Sequence, residues 1–266
     1  MTAFIGGGNM ATAIVGGLRR AGRPAESIVV VDPSLAQREQ LTAIFGVRTL
    51  AAADATLCDA ATVVWAVKPQ FFKAAAAPAA THIAGALQLS VMAGIRSSAI
   101  AAAIGGDRVV RAMPNTPALI GQGISGLFAR AGVDAAGKAE VEAVLAPTGR
   151  VIWFDREADL DAVTALSGSG PAYVFLFAEA MVRAAVEMGL TPAQGRELAL
   201  ATFAGASALA LGTTDALDLL RERVTSRGGT THAAITSMQA AHVEAAIVAA
   251  LKAARDRATE LGDEFG

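Results

Sequence analysis

The sequence predicts an N-terminal α/β unit with a doubly wound parallel sheet, followed by an all-helical C-terminal unit. In the first half of the 266-residue chain, short β-branched runs alternate with alanine-rich helical stretches. This alternation is typical of parallel strands joined by crossover helices. After Trp153 no further strand pattern occurs, and long Ala/Leu-rich segments follow. The two observations together predict one domain over residues 1–156 and a second over residues 157–266.

The individual elements follow from local patterns along the chain. Runs of β-branched and other apolar residues predict strands. These strands cover residues 3–5, 28–31, 62–67, 87–92 and 108–112. A helix is predicted over residues 35–45 with Ser34 as its N-cap. The later helices are predicted over residues 171–188, 192–211, 216–223 and 231 to about 261, with starts at Thr191-Pro192 and Thr214-Asp215.

Composition excludes several functional classes. The formal net charge of −2 provides no electrostatic reason to bind nucleic acid or an anionic membrane surface. Cys58 is the only cysteine, so an internal disulfide is impossible and a cysteine-based metal site is not expected. The three histidines lie at no ligand-like spacing. Since neither an uninterrupted membrane-length apolar run nor a signal-peptide pattern occurs, we expect a cytoplasmic protein without a bound metal.

A glycine-rich turn directly follows the first apolar run. Residues 6–11 fit the pattern G-x-G-x-x-[G/A] and lead into a helical stretch over residues 12–21. In this pattern Gly6 permits a tight turn, and Gly8 lets the backbone approach a pyrophosphate at the helix N-terminus. The context therefore predicts a Rossmann-type dinucleotide site, with an ordinary strand-to-helix turn as the alternative. The residues predicted to bind the cofactor here are Gly6, Gly8, Asn9 and Met10.

The end of the second predicted strand bears on the choice of cofactor. Asp32 stands where an acidic residue binds the adenosine ribose hydroxyls, which favours NADH over NADPH. Ser34 and Arg38 could instead hold the additional phosphate of NADPH. Asp32 could also be only a turn residue before Pro33. The sequence leaves the preference between NADH and NADPH open.

Five segments resemble those of the pyrroline-5-carboxylate reductase family. They are residues 4–11 (FIGGGNMA), 66–70 (AVKPQ), 111–118 (RAMPNTPA), 166–173 (LSGSGPAY) and 224–231 (VTSRGGTT). The resemblance covers essentially the whole chain in order, which makes it more specific than any single motif. One departure is Arg227, since the family usually has proline there. Arginine leaves the loop freer and adds a charge near the expected substrate site.

The resemblance implies an activity, a substrate site and an assembly. The activity is reduction of 1-pyrroline-5-carboxylate to L-proline with hydride from NADPH or NADH, the last step of proline biosynthesis. The resemblance implies that Ser226 and the amides of Gly229 and Thr230 bind the substrate carboxylate, where Gly228 permits close backbone approach. It places Thr231 near the imine nitrogen as a hydrogen-bond donor and possible acid. It also implies a homodimer through interlocked helices, sometimes built into larger rings.

Several of these assignments have a structural alternative. Thr230 or Thr231 could only cap the last helix. Ser167 is expected to contact substrate, although its glycine-rich segment could be only an interdomain turn. Lys68 could reach a cofactor phosphate or ribose, or simply lie on the surface. The remaining residues predicted to bind the cofactor are Ala66, Val67, Lys68, Pro69, Met92, Ala93 and Asn115.

The chemistry of imine reduction fits these parts without a metal. It needs a positioned hydride donor, one hydrogen-bond donor, a carboxylate clamp and a dry pocket. The nearest alternative is the β-hydroxyacid dehydrogenase class, which needs a base, generally a lysine early in the long interdomain helix. No lysine lies between Gly168 and Arg183, which favours imine reduction. The second alternative is a non-catalytic nucleotide-binding regulator, and the intact segment of residues 228–231 counts against it.

Overall fold

The computed structural model describes residues 1–265 and contains one eight-stranded sheet. Its strands are β1 (Thr2–Ile5), β2 (Ile28–Val31), β3 (Arg48–Leu50), β4 (Thr62–Trp65), β5 (Leu87–Ser90), β6 (Val109–Met113), β7 (Gly123–Ala129) and β8 (Gly149–Trp153). The strand order is β3-β2-β1-β4-β5-β6-β7-β8. Only the pair β6–β7 is antiparallel. The predicted fold class, a doubly wound sheet followed by helices, is confirmed.

Eleven α-helices accompany the sheet within residues 1–265. They are α1 (Asn9–Arg20), α2 (Leu35–Phe45), α3 (Phe72–Ile83), α4 (Ser97–Ile104), α5 (Ala135–Leu145), α6 (Asp159–Val163), α7 (Gly170–Glu187), α8 (Pro192–Leu211), α9 (Leu217–Arg223), α10 (Thr230–Ala240) and α11 (Val243–Phe265). A π-helical turn, Thr164–Gly168, joins α6 to α7. Short 3₁₀ turns cover Ala25–Ser27, Ala55–Asp59, Pro69–Phe71, Thr116–Ile120 and Ala146–Thr148.

The chain divides into two compact units. The first comprises Met1–Pro171 together with the chain from Ala253 onward, and the second comprises Ala172–Lys252. The sheet and all of the helices up to α6 belong to the first unit, and α11 contributes residues to both units. The domain boundary between residues 156 and 157 stays a prediction from the sequence.

The core of the first unit forms two layers, one on each face of the sheet. Alternate strand residues point to opposite faces, so Phe4 and Val64 pack with Ile14 of α1 on one side. Trp65 lies in the layer on the other side. Its indole Nε1 donates to Oε1 of the buried Gln88 at 2.8 Å, which satisfies the polar atom inside the core. Burial on both faces holds the carboxyl ends of the central strands in fixed positions.

The N-terminal elements agree with the sequence prediction except at the ends of two strands and at three strands that were not predicted. The helix over residues 35–45 and its N-cap Ser34 are confirmed. The strands predicted over residues 62–67 and 87–92 end earlier, at Trp65 and Ser90. Strands β3, β7 and β8 were not predicted.

Two predictions in the C-terminal helices are wrong. The helix predicted from residue 231 to about 261 is two helices, which meet at a bend of 55°. His242 lies at the break with φ 54, and it is the one non-glycine residue with positive φ among residues 1–265. The helix predicted over residues 216–223 is confirmed as α9, but its N-cap is Ala216 and the predicted start at Thr214-Asp215 is wrong. By contrast, Thr191 caps α8 as predicted and forms a complete capping box with Gln194.

The second unit exposes many large apolar side chains. Those of α7 and α8 include Val174, Phe175, Leu176, Phe177, Leu198, Leu209 and Leu211. The continuous helical stretch Asp159–Glu187 is long and apolar enough to cross a membrane by length and composition alone, and 11% of its most apolar window is buried. Exposed apolar side chains of this kind are equally typical of helices that pack against another subunit.

Candidate active site

The carboxyl ends of β1 and β4 approach each other closely in the first unit. Gly6 follows β1 with φ +96, and a Cβ atom on it would lie 2.7 Å from the carbonyl oxygen of Ala66. The Gly6 amide donates to the Val31 carbonyl at 2.8 Å, which continues the pairing of β1 with β2. Glycine is therefore required at position 6 by both backbone conformation and space.

The N-terminus of α1 fits a pyrophosphate. Gly8 is its N-cap, with extended backbone and no atom within 4 Å of the position that a Cβ would occupy. The first intrahelical bond runs from the Thr12 amide to the Gly8 carbonyl at 2.9 Å. The amides of Asn9 and Met10 therefore have no acceptor within the helix. Because the first turn contains no acidic residue, the helix end favours an anion.

The peptide of Gly7 is held by three side chains, of which Thr12 donates its hydroxyl to the Gly7 carbonyl at 3.3 Å. The Asp32 carboxylate accepts the Gly7 amide at Oδ2 (2.8 Å) and the Ser34 amide at Oδ1 (2.9 Å). The Gln37 amide group donates from Nε2 to the Gly7 carbonyl at 2.5 Å. Gln37 was not singled out from the sequence, although a glutamine three residues after a serine N-cap is a recognised capping-box signal. Here it supports the glycine-rich turn instead.

The other residues predicted to bind the cofactor follow the carboxyl ends of β4, β5 and β6. Lys68 is exposed, whereas Met92 is only 3% exposed. The Asn115 side chain accepts the Ile124 amide at Oδ1 (3.0 Å), which ties its loop to β7. Ala66, Val67, Pro69 and Ala93 are partly buried. The sheet therefore brings these residues to the same edge as the glycine-rich turn.

Replacement of Gly6 by alanine is expected to destabilise the first unit by about 3 kcal/mol, because it adds backbone strain and a clash with Ala66. Gly105→Ala is the matched control, since Gly105 has φ +71 and open space around its Cβ position. That variant is expected to lose only about 1 kcal/mol. Chemical unfolding at one protein concentration measures both. Equal losses would show that crowding at Ala66 is unimportant.

A π-helical turn carries the predicted substrate residue Ser167. Its hydroxyl donates to the Val163 carbonyl at 3.1 Å, which leaves its lone pairs available as acceptors. A Cβ on Gly168 would lie 2.5 Å from Cε of Met113, so the turn packs against the last residue of β6. Single π-helical turns occur frequently at functional sites.

A partly buried ion pair anchors β6 near its carboxyl end. Arg111, only 3% exposed, donates from Nη1 to Oε1 of Glu157 at 2.8 Å. Glu157 also accepts the amide and hydroxyl of Ser97, each at 2.6 Å. Burial by itself raises the pKa of Glu157, but the hydrogen bonds from Ser97 and Arg111 outweigh it and hold that pKa below its ordinary value. This network was not predicted from the sequence.

The second unit contains the loop predicted to bind the substrate. Gly228 has φ +73, and the Gly229 amide donates to the Ser226 carbonyl at 3.0 Å. A Cβ on Gly229 would lie 2.7 Å from Oγ of Ser226, so the serine hydroxyl lies directly against the glycine backbone. The Gly229 amide predicted to bind a carboxylate is therefore already engaged. The free amides of the following helix begin at Thr230.

Thr231 does not cap a helix. Gly229 is the N-cap of α10, and Thr230 and Thr231 are its first two residues. The interpretation of either threonine as a helix cap is therefore wrong. Thr231 is partly buried, and its hydroxyl makes no hydrogen bond to any of residues 1–265. It remains free to act on a ligand.

The described residues contain no group of three metal-ligating side chains. Arg227, which stands where proline was expected, is exposed and forms no ion pair with residues 1–265. The charge of Arg227 is therefore available at the loop surface.

Comparisons with known proteins match nearly the whole chain. The family model for pyrroline-5-carboxylate reductase dimerisation matches residues 157–261, and the model for coenzyme F420-dependent NADP oxidoreductase matches residues 2–94. A curated pyrroline-5-carboxylate reductase from Pseudomonas aeruginosa is 45% identical and covers 99% of this chain and 97% of its own. The solved reductase structure from Coxiella burnetii has a TM-score of 0.91 at 38% identity and covers 98% of this chain and 97% of its own. That of Plasmodium falciparum, solved with NADP bound, has a TM-score of 0.88 at 25% identity, with the same coverage.

Proposed function

The chain belongs to the pyrroline-5-carboxylate reductase family, and we propose that it reduces 1-pyrroline-5-carboxylate to L-proline, the last step of proline biosynthesis. The observation that carries this proposal is the 45% identity to a curated reductase over 99% of the chain. The family consists of NAD(P)H-dependent oxidoreductases, so the cofactor is NADPH or NADH. The missing lysine between Gly168 and Arg183 supports imine reduction over alcohol oxidation.

The first unit binds and orients the reduced cofactor, which supplies hydride when bound. Gly8 and the free amides of Asn9 and Met10 hold the pyrophosphate. Gly6 keeps the turn against β4, and Asp32 keeps the Gly7 peptide in place. The remaining length of the cofactor is lined by the predicted residues that follow β4, β5 and β6, namely Ala66, Val67, Lys68, Pro69, Met92, Ala93 and Asn115.

The second unit binds the imino acid. The Ser226 hydroxyl and the Thr230 amide hold the substrate carboxylate, and Gly228 and Gly229 keep the loop free of side chains there. Thr231 donates its hydroxyl hydrogen to the imine nitrogen, which makes the C=N carbon more electrophilic. As hydride adds to that carbon, the nitrogen takes up the hydroxyl proton of Thr231, solvent returns a proton to the threonine oxygen, and proline results. Ser167 belongs to the first unit, and its contact with the substrate stays a prediction from the sequence.

The match to a dimerisation domain shows that the chain forms homo-oligomers. We propose a homodimer through interlocked helices of the second unit, with the site shared between subunits. Such dimers can in turn assemble into a larger ring. The exposed apolar residues of α7 and α8 support this assembly. We also propose a cytoplasmic location. We further propose that the protein binds neither nucleic acid nor a membrane, which the net charge of −2 supports.

The proposal is tested by following absorbance of the reduced cofactor with 1-pyrroline-5-carboxylate as substrate. NADH and NADPH are run in parallel, and proline is identified as the product. Substrate-dependent oxidation of either cofactor is the expected result. A small β-hydroxyacid with the oxidised cofactor serves as control and is expected to give no turnover. Cofactor binding without proline formation would reject the proposed activity.

A further inference from the structure

Building on the proposed function, we propose that this enzyme prefers NADH to NADPH, because Asp32 accepts the adenosine ribose hydroxyls and repels a 2′-phosphate. Asp32 directly follows β2, and its amide donates to the Leu50 carbonyl at 3.0 Å. Its backbone therefore continues the pairing of β2 with β3. The carboxyl end of this strand is where a doubly wound sheet receives the ribose of a dinucleotide.

The Asp32 carboxylate is held in one orientation. Oδ2 accepts the Gly7 amide and Oδ1 accepts the Ser34 amide. A carboxylate offers about four lone-pair positions, so each oxygen can still accept one ribose hydroxyl. Rotation of the side chain away from a phosphate would break both hydrogen bonds and release the glycine-rich turn. Asp32 therefore cannot relieve the repulsion cheaply.

The charge of Asp32 is not compensated by an ion pair within residues 1–265. Arg38, the cation of the adjoining turn, donates both Nη1 hydrogens to backbone carbonyls, to Asp32 at 2.8 Å and to Pro33 at 3.0 Å. Its guanidinium is therefore folded onto the turn. Ser34 is neutral and already caps α2. A fixed carboxylate is thus opposed by one hydroxyl and by an arginine whose Nη1 is already engaged, which favours a cofactor without the additional phosphate.

The preference is measured by fluorescence titration of the homo-oligomer with NADH and with NADPH, without substrate. We expect wild-type protein to bind NADH at least about tenfold more tightly than NADPH. Asp32→Ser and Asp32→Asn are each expected to lower the ratio of the two dissociation constants at least about tenfold, chiefly through tighter NADPH binding. Two variants are used because either can loosen the glycine-rich turn and weaken both cofactors together, which leaves the ratio as the readout.

Asp54→Asn is the matched control. Asp54 also accepts a backbone amide, that of Thr56 at 2.8 Å, and its loss removes the same charge from the same unit. Thr56 accepts a hydrogen bond from Arg48, which begins β3, whereas Asp32 follows the carboxyl end of the neighbouring β2. We expect its ratio to equal that of wild type.

A wild-type ratio below about tenfold, or an unchanged ratio in both Asp32 variants, would overturn the inference. Failure of the proposed function gives a different result. In that case NADH binds selectively through Asp32, yet 1-pyrroline-5-carboxylate is not reduced.

Discussion

Replacement of Thr231 by alanine is expected to lower kcat about 100-fold, the size of effect that a positioned proton donor contributes. The loss should fall on kcat because the hydroxyl strengthens its hydrogen bond as the imine nitrogen becomes basic. The dissociation constant of the reduced cofactor should change little, since the residues predicted to bind it lie in the first unit. Steady-state kinetics and fluorescence titration separate the two quantities.

Two further variants make the Thr231 result specific. Thr231→Ser keeps a hydroxyl and is expected to retain most of the turnover. Thr236→Ala makes the same change at an exposed position on α10 and is expected to behave as wild type. Because the Thr231 hydroxyl bonds to none of residues 1–265, alanine removes no hydrogen bond among them. An unchanged kcat in Thr231→Ala would remove this residue from the mechanism.

The sequence predicted those strands whose side chains pack on both faces of the sheet. Such strands are continuous apolar runs, as in β2 and β4. Strands β7 and β8 lack that signal because each contains glycine that the pairing requires. A Cβ on Gly149 would lie 2.0 Å from the Gly123 carbonyl oxygen, a contact that exists only once the two strands are adjacent. Local patterns do not reveal such a requirement.

The break between α10 and α11 also has no local signal. No proline or glycine occurs from residue 240 to 243, and alanine favours an uninterrupted helix. His242 nevertheless adopts φ 54, an uncommon conformation for a residue other than glycine.

The candidate site likewise contains features that the sequence reveals and features that only the folded chain reveals. The glycine-rich turn and the loop before α10 were recognised because their function depends on consecutive residues. The bond from Gly7 to Asp32 joins residues 25 positions apart, and the pair Arg111–Glu157 spans 46 positions. Such partners are set by the topology of the sheet rather than by spacing along the chain. The sequence therefore identified Asp32 without deciding between its two roles.

Replacement of Glu157 by alanine is expected to destabilise the protein by about 3 kcal/mol, the low end of the loss for a buried ion pair, because Arg111 is buried although Glu157 is partly exposed. Arg111 would be left unpaired at 3% exposure, and the Ser97 amide and hydroxyl would lose their acceptor. Urea unfolding at one protein concentration measures the change. Glu260→Ala is the control, because it removes an exposed ion pair with Arg257 that contributes less than about 1 kcal/mol. Equal losses would contradict a special role for the buried pair.

The same pair predicts how stability depends on pH. The pKa of Glu157 is lower in the folded chain than its ordinary value of 4.5, so the unfolded chain takes up the proton first as pH falls. The stabilisation is therefore complete well above pH 4.5 and is lost as the pH falls from there through the folded pKa. Glu157→Gln cannot take up this proton, so its stability should fall less steeply with acidification than that of wild type. Parallel slopes below pH 5 would show that Arg111 and Ser97 do not hold the carboxylate in its charged form, and the loss expected for Glu157→Ala would then need another cause.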